Sequence, residues 1–287
     1  TKPQKNWSVN REGHTMVTLC PATFEMASPP SEVGHNANER LHSRTIDRRF
    51  SIAATEVTAQ QYRRFLDDHP EFLVEDVDAW LQRDDAMAAG GVSWFAAAAY
   101  CNWLSGQEGI PQNQSCYIPN DESRFAEGMK LASDYLSRTG YRLPTEAEWE
   151  YSCRGGTSTP WSSGNSVELL GKYSWYQNNS HDRVHTIGEL KPNLFGLFDM
   201  HGNVYEWCQE HFESDYPSNG ETPVSDPADI RLWVDDSRRV LRGGSIRNTS
   251  PFVRSADRNG DRPRLLGNNI GFRVARTAPE SPPQNKP

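Results

Sequence analysis

Cysteines, histidines and a block of arginines are the residues of this 287-residue chain whose types could support chemistry. The cysteines number five and are spread along the chain, an odd count that argues against a disulfide framework. Cys153 and Cys208 follow aromatic residues closely and read as buried packing. Of eight histidines, His181 and His185 are spaced i, i+4, which ligates a metal when the segment is helical. Their context, NNSHDRVHTIGEL, reads instead as a loop entering a strand, so solvent-exposed imidazoles are expected. Residues 231–276 hold eleven Arg, four Asp and no Lys, within a chain whose net charge is -8. A solvated basic face normally mixes in Lys, so these arginines read as forks bracing loops against carboxylates and carbonyls, with an anion-binding surface as the alternative. No Lys runs and no nucleic-acid recognition module occur, so nucleic acid is not an expected partner.

Few regular elements are legible to position these groups. Thr58 and Gln61 form a capping-box pattern, followed by Tyr62, Phe65 and Leu66 at helical spacing. Ser93 can cap a helix over Trp94–Leu104, where four consecutive alanines permit close packing. Thr145 and Glu148 predict a third helix start. Short strands are predicted at Thr15–Cys20, Phe50–Ala54, Arg239–Gly243 and Gly271–Ala275. Gly, Pro, Asn and Ser punctuate the rest. The pattern predicts one loop-rich α+β domain over residues 13–276, with a flexible lead-in at 1–12 and a Pro-rich tail at 277–287. Apolar runs are far too short to span a membrane. Without a secretory leader, and with an odd cysteine count, a cytoplasmic location is expected.

Seven segments in fixed order carry a resemblance: FEMASP at 24–29, IAATEVTAQQYRRFL at 52–66, VSWFAAAAYCNWLS at 92–105, GYRLPTEAEWEYSCRGGT at 140–157, GLFDMHGNVYEW at 196–207, RVLRGGS at 239–245 and NNIGFRVAR at 268–276. Together they resemble the formylglycine-generating enzyme, or sulfatase-modifying factor, family. The resemblance implies a variant of the C-type lectin fold, α+β with long loops. In the oxidising members, two cysteines shortly after the GGS turn bind copper. Here Asn248 falls where the first would be, and no cysteine follows Cys208. An amide cannot supply the soft thiolate that Cu(I) needs, so neither copper nor formylglycine generation is expected. Relatives in ergothioneine synthesis take their iron histidines from an added helical domain, and a pyoverdine-pathway relative is a single-domain oxidase. An oxygen-dependent non-haem metal oxidase or oxygenase of those types is the alternative function.

The resemblance also implies a structural Ca²⁺, held by Asp199 and Glu206 side chains and by the backbone carbonyls of Gly202 and Val204. Hard oxygen donors and a Gly-Asn turn suit that ion. The competing reading pairs Glu206 with an arginine and has Asp199 cap a turn. A second calcium loop would fall near Ser174–His181, where Asn179 is the one credible oxygen donor.

Between residues 246 and 268, scaffold residues alternate with a set that follows no burial period: Ile246, Arg247, Asn248, Phe252, Asp257, Asn259, Asp261, Arg264, Leu265, Leu266 and Asn268. This layout resembles the variable proteins of diversity-generating retroelements and the same domain fused to bacterial kinases. It implies a binding domain without catalytic activity, whose ligand, a protein or a small molecule, contacts that set. It also implies a place within a larger multidomain protein.

Overall fold

The computed structural model describes residues 6–74, 81, 84–214, 216, 224–226 and 237–278. Residues 1–5 of the expected lead-in, 279–287 of the expected tail, and Arg231, Asp235 and Asp236 of the arginine-rich stretch lie outside them.

The expected helices form where their caps stand. Helix α1 covers Ala59–Asp68, with Thr58 Oγ1 accepting from the Gln61 N–H and the Gln61 side chain accepting from the Thr58 N–H. Helix α2 runs Trp94–Gln107, three residues beyond the expected end. Its alanines and aromatics are buried nearly all round, so it is a core rod rather than a surface helix. Helix α3, Glu146–Arg154, carries the Thr145–Glu148 capping box and ends on Gly155 in the left-handed region. A single turn, α4, spans Val167–Leu170.

Sixteen short strands complete the described residues. In order they are β1 Trp7–Val9, β2 Thr15–Leu19, β3 Ala22–Met26, β4 His42–Ile46, β5 Phe50–Ala53, β6 Tyr117–Ile118, β7 Lys130–Leu131 and β8 Tyr141–Arg142. Then follow β9 Ser174–Trp175, β10 His201–Gly202, β11 Tyr205–His211, β12 Val224–Ser225, β13 Arg239–Arg242, β14 Asn259–Asp261, β15 Ile270–Gly271 and β16 Ala275–Thr277. The largest sheet is ordered β1-β2-β5-β16-β8, and a four-stranded sheet is ordered β14-β13-β11-β15. Residues 7–9, expected in the lead-in, instead pair antiparallel with 15–17, and Thr277, expected in the tail, pairs with Phe50. β1 is an exposed edge strand that buries little, so hydrophobic pattern does not betray it, and Thr277 is the last residue of an interior strand that runs past the expected boundary. The strand expected over Gly271–Ala275 is divided between two sheets, because Phe272, Arg273 and Val274 cross from one to the other.

Two apolar clusters fill the interior, one around α1 and α2, the other between β5, α3 and the inner face of the β3–β4 hairpin. Trp94, Trp149 and Trp207 are fully buried, and each indole N–H finds an acceptor: the Cys208 carbonyl, Glu206 and the Val92 carbonyl. Between the clusters run buried ion pairs. Arg142 meets Glu148, Arg242 meets Glu150, Arg254 meets Glu39, Arg258 meets Glu146, and Arg273 meets Glu206. The reading of the C-terminal arginines as bracing forks therefore holds for the four from that stretch in these pairs.

Candidate binding pocket and buried acidic cluster

Strand β11 presents two neighbouring residues to two different sites, because alternate side chains leave a strand on opposite faces. Tyr205 opens onto a surface pocket, while Glu206 points into the interior against Trp149 and Arg273.

The pocket has a volume of about 570 Å³. Its walls include Asn36, Asn38, Tyr205, Asn248, Phe252, Asp257, Arg258 and Asn259. Gly243 and Gly244, both at positive φ, turn the chain after β13. A Cβ on Gly244 would stand 2.3 Å from the Phe252 carbonyl oxygen, so only glycine lets the 245–253 segment fold back. Within that segment, Asn248 Oδ1 accepts from the Ser245 N–H at 3.0 Å and from its hydroxyl at 2.7 Å. Asn248 Nδ2 donates to the Tyr205 hydroxyl at 3.0 Å. Both ends of this amide are thus engaged, and the pocket wall contains no sulfur. Burial, then the charge of Asp257, pushes the Tyr205 phenol up to about 12, so it stays protonated. Burial, then the charge of Glu39, pushes Asp257 up to about 7 against the pull of Arg254 and Arg242.

The eleven residues singled out between 246 and 268 do not share one surface. Asn248, Phe252, Asp257 and Asn259 line this pocket. Arg264 and Leu266 line a separate cleft of about 560 Å³ beside Phe72, Phe95 and Phe125. Arg247 is exposed and pairs with Asp182 at 2.8 Å. Leu265 and Asn268 are exposed, and Asp261 is half-buried at the end of β14. Ile246, expected among the ligand contacts, is buried against Ala88, Val184 and Val204. Asn36, Asn38, Tyr205 and Arg258 were not expected in the pocket. The two asparagines sit in a polar loop whose sequence carries no sign that it folds over the 248–259 segment.

The second site is buried. Glu206 Oε2 accepts from Arg273 Nε at 2.6 Å and from the Trp149 indole at 2.8 Å, and Oε1 accepts from Arg273 Nη2 at 2.7 Å. Asp199 Oδ2 accepts from the Gly188 N–H at 2.7 Å, whereas Oδ1 is buried without a hydrogen bond. The fully buried Glu56 accepts from Asn203 Nδ2 at 3.1 Å through Oε1, and its Oε2 likewise has no hydrogen bond. Burial, then the charge of Asp199, raises the Glu56 carboxyl well above its usual range. Burial outweighs the Gly188 N–H and Arg273 and carries Asp199 up to about 6. Gly202 and Asn203 both take positive φ, and a Cβ on Gly202 would stand 2.1 Å from the Trp175 carbonyl oxygen. Glu56 gives no signal because it stands two residues before the Thr58 helix cap, a place where acidic residues normally face water.

Three carboxylates and one guanidinium leave two excess negative charges in this dry volume when all are ionised. The donor chemistry fits a hard divalent cation: all-oxygen ligands, one with an unused buried atom. Glu206 pairs with Arg273 and Asp199 accepts from the Gly188 N–H, as in the competing reading, and the resemblance alone adds the Gly202 and Val204 carbonyls to the set that would hold Ca²⁺. No three His, Cys, Asp or Glu side chains converge as a metal cage among the described residues. A shell completed by backbone carbonyls does not need a third. Near Ser174–His181, by contrast, Asn179 spends its Oδ1 on the Tyr176 N–H and its Nδ2 on the Ser174 carbonyl, closing that loop on itself. His181 is exposed at positive φ. His185 is not solvent-exposed as expected but half-buried, stacked on Trp175 with ring centroids 3.7 Å apart. Cys153 and Cys208 are fully buried, and burial raises both thiols, Cys153 to about 12.

A family model described as the sulfatase-modifying factor enzyme 1-like domain matches residues 3–278. The chain belongs to this family. Among solved structures, this family member is similar to variable protein 1 of Treponema denticola, with 26% identity, a TM-score of 0.77 and coverage of 97% of this chain and 100% of that one. It is similar to PvdO from Pseudomonas aeruginosa at 26% identity and a TM-score of 0.76, with the same coverage. The formylglycine-generating enzyme of Bos taurus is 26% identical over 91% of this chain and 74% of its own length. The serine/threonine-protein kinase pkn1 of Chlamydia pneumoniae is 34% identical over 50% of this chain but only 22% of its own length, so there the matching part belongs to a larger protein. No helix among the described residues is long and apolar enough to cross a membrane.

Proposed function

We propose that this family member is a ligand-binding domain, built on a calcium-stabilised C-type lectin-like scaffold, with recognition centred on the pocket beside Asn248. One observation carries the reading. At the position where oxidising relatives have a copper thiolate, an amide is tied by hydrogen bonds to Ser245 and Tyr205 within a polar, open pocket. Such a wall recognises ligands by shape and hydrogen bonding and offers Cu(I) no soft donor. Loop residues around a fixed scaffold change at little cost in stability, which suits diversification by a retroelement. The similarity to a variable protein supports this, and the similarity to a kinase supports a place in a larger protein.

The similarity to PvdO favours a second reading, an oxygen-dependent metal oxidase acting in the same pocket with Tyr205 and Asp257 beside the substrate. Two measurements on the purified chain separate the readings. Peptides selected by display against it are expected to lose binding on Phe252→Ala, which removes an exposed aromatic wall. Loaded with Cu(I) or Fe(II) and given thiol or phenol substrates, the chain is expected to consume no oxygen above the free-metal rate. Turnover-linked oxygen uptake abolished by Tyr205→Phe would establish the oxidase instead.

A further inference from the structure

Within the pocket beside Asn248, the arrangement of charges is unequal. Arg258 lines it and Arg242 and Arg254 stand behind it near Asp257, and each already has its own acid. Arg258 is held by both oxygens of Glu146, Arg254 by Glu39 and Glu32, and Arg242 by Glu150. Asp257 has no partner that close among the described residues. The residue is 4% exposed, yet it lines the pocket. Its nearest guanidinium nitrogen, on Arg254, stands at 4.0 Å with its fork committed elsewhere. Its hydrogen bond among the described residues is a long one, 3.4 Å, from Asn36 Nδ2. In the same wall, Asn38 Oδ1 is shielded from solvent and has no hydrogen-bond donor among the described residues. Phe252, 47% exposed, forms an aromatic lip.

A buried carboxylate without a matched cation is costly, and a hydrogen-bonded counter-charge relieves that cost. We propose that this pocket takes a cationic nitrogen, a primary ammonium or guanidinium on a flexible chain, which pairs with Asp257 and donates to Asn38 while its stem packs on Phe252. The inference rests on the reading of this pocket as a binding site, and it names the ligand chemistry. An aromatic face beside the carboxylate adds attraction for the same charge. The high position of the Asp257 carboxyl agrees with a site short of positive charge.

The test uses the full chain and three probes: agmatine, the blocked pentapeptide Gly-Gly-Lys-Gly-Gly, and the same peptide with norleucine replacing lysine. Titration calorimetry is expected to show saturable binding of at least one cation, tenfold or more tighter than the norleucine peptide. Agmatine alone would indicate a free amine, and the lysine peptide alone a protein segment. Asp257→Asn should weaken cation binding at least tenfold. It should also melt at the same or a higher temperature, because it removes an unmatched buried charge. Equal binding of lysine and norleucine peptides, unchanged affinity in Asp257→Asn, or a lowered melting point in that variant would each overturn the proposal. If no cation binds, display-selected peptides sensitive to Phe252→Ala would preserve the binding reading while this inference falls. Absence of both would remove the two together.

Discussion

Replacing Glu206 by Gln separates an ion site from a plain ion pair. Glu206 is 1% exposed and receives Arg273 Nε and Nη2 and the Trp149 indole. Its loss leaves Arg273 buried and unmatched, a cost of about 3–5 kcal/mol. At roughly 2–4 °C per kcal/mol for a domain near this size, that lowers the melting temperature by about 6–20 °C. Calcium at a hundred times its dissociation constant should stabilise the wild type by about 2.7 kcal/mol, or about 5–10 °C. Scanning calorimetry in excess CaCl₂ and in EGTA, on the wild type, Glu206→Gln and Arg273→Met, reads both quantities. Glu206→Gln should lose stability in either buffer and show no calcium shift. Arg273→Met leaves Glu56, Asp199 and Glu206 with no guanidinium, so it should be weak in EGTA and recover with calcium by at least the wild-type shift. A wild type indifferent to EGTA, together with an Arg273→Met that calcium does not rescue, would refute the ion and leave a buried pair.

Acid should weaken the fold in part through Glu148. Burial raises its carboxyl, but Arg142 and Arg48 outweigh that and hold it at about 2, so the native value lies below the unfolded one. Its contribution, about 3 kcal/mol, is full above pH ~4.3 and lost as pH falls toward 2; urea midpoints across that range should fall in the wild type and flatten in Glu148→Gln. Thiol chemistry should find one site. Cys20 is exposed while Cys101, Cys116, Cys153 and Cys208 are buried, so mass spectrometry after brief iodoacetamide treatment should show Cys20 alkylated and the rest only in denaturant.

Local chemistry explains what was legible in the sequence. Thr58, Ser93 and Thr145 announced their helices because a cap is read by residues within one turn of it. Strand β11, the longest among the described residues, carries no strand signal because polar Glu206, Gln209 and Glu210 interrupt its apolar residues while it is buried on both faces. Alternation vanishes when neither face meets water. The pocket is legible only in part for a different reason. Asn248 and Asp257 lie in one segment, but Asn36 and Asn38 join them from more than 200 residues away through contacts such as Asn36 to Asp257. Likewise Glu56 enters the acidic cluster by way of Asn203, and no spacing within either segment foretells that meeting.

The position of β16 bears on how the chain is made. Residues 275–277 lie between β5 and β8 and hydrogen-bond to both, so the last strand of the largest described sheet in chain order is interior to it. While the ribosome still holds that stretch, Phe50–Ala53 has β2 on one side and an open edge on the other. The sheet cannot close until residues 275–277 have emerged. A nascent chain halted shortly before residue 275 would expose that edge to any strand nearby.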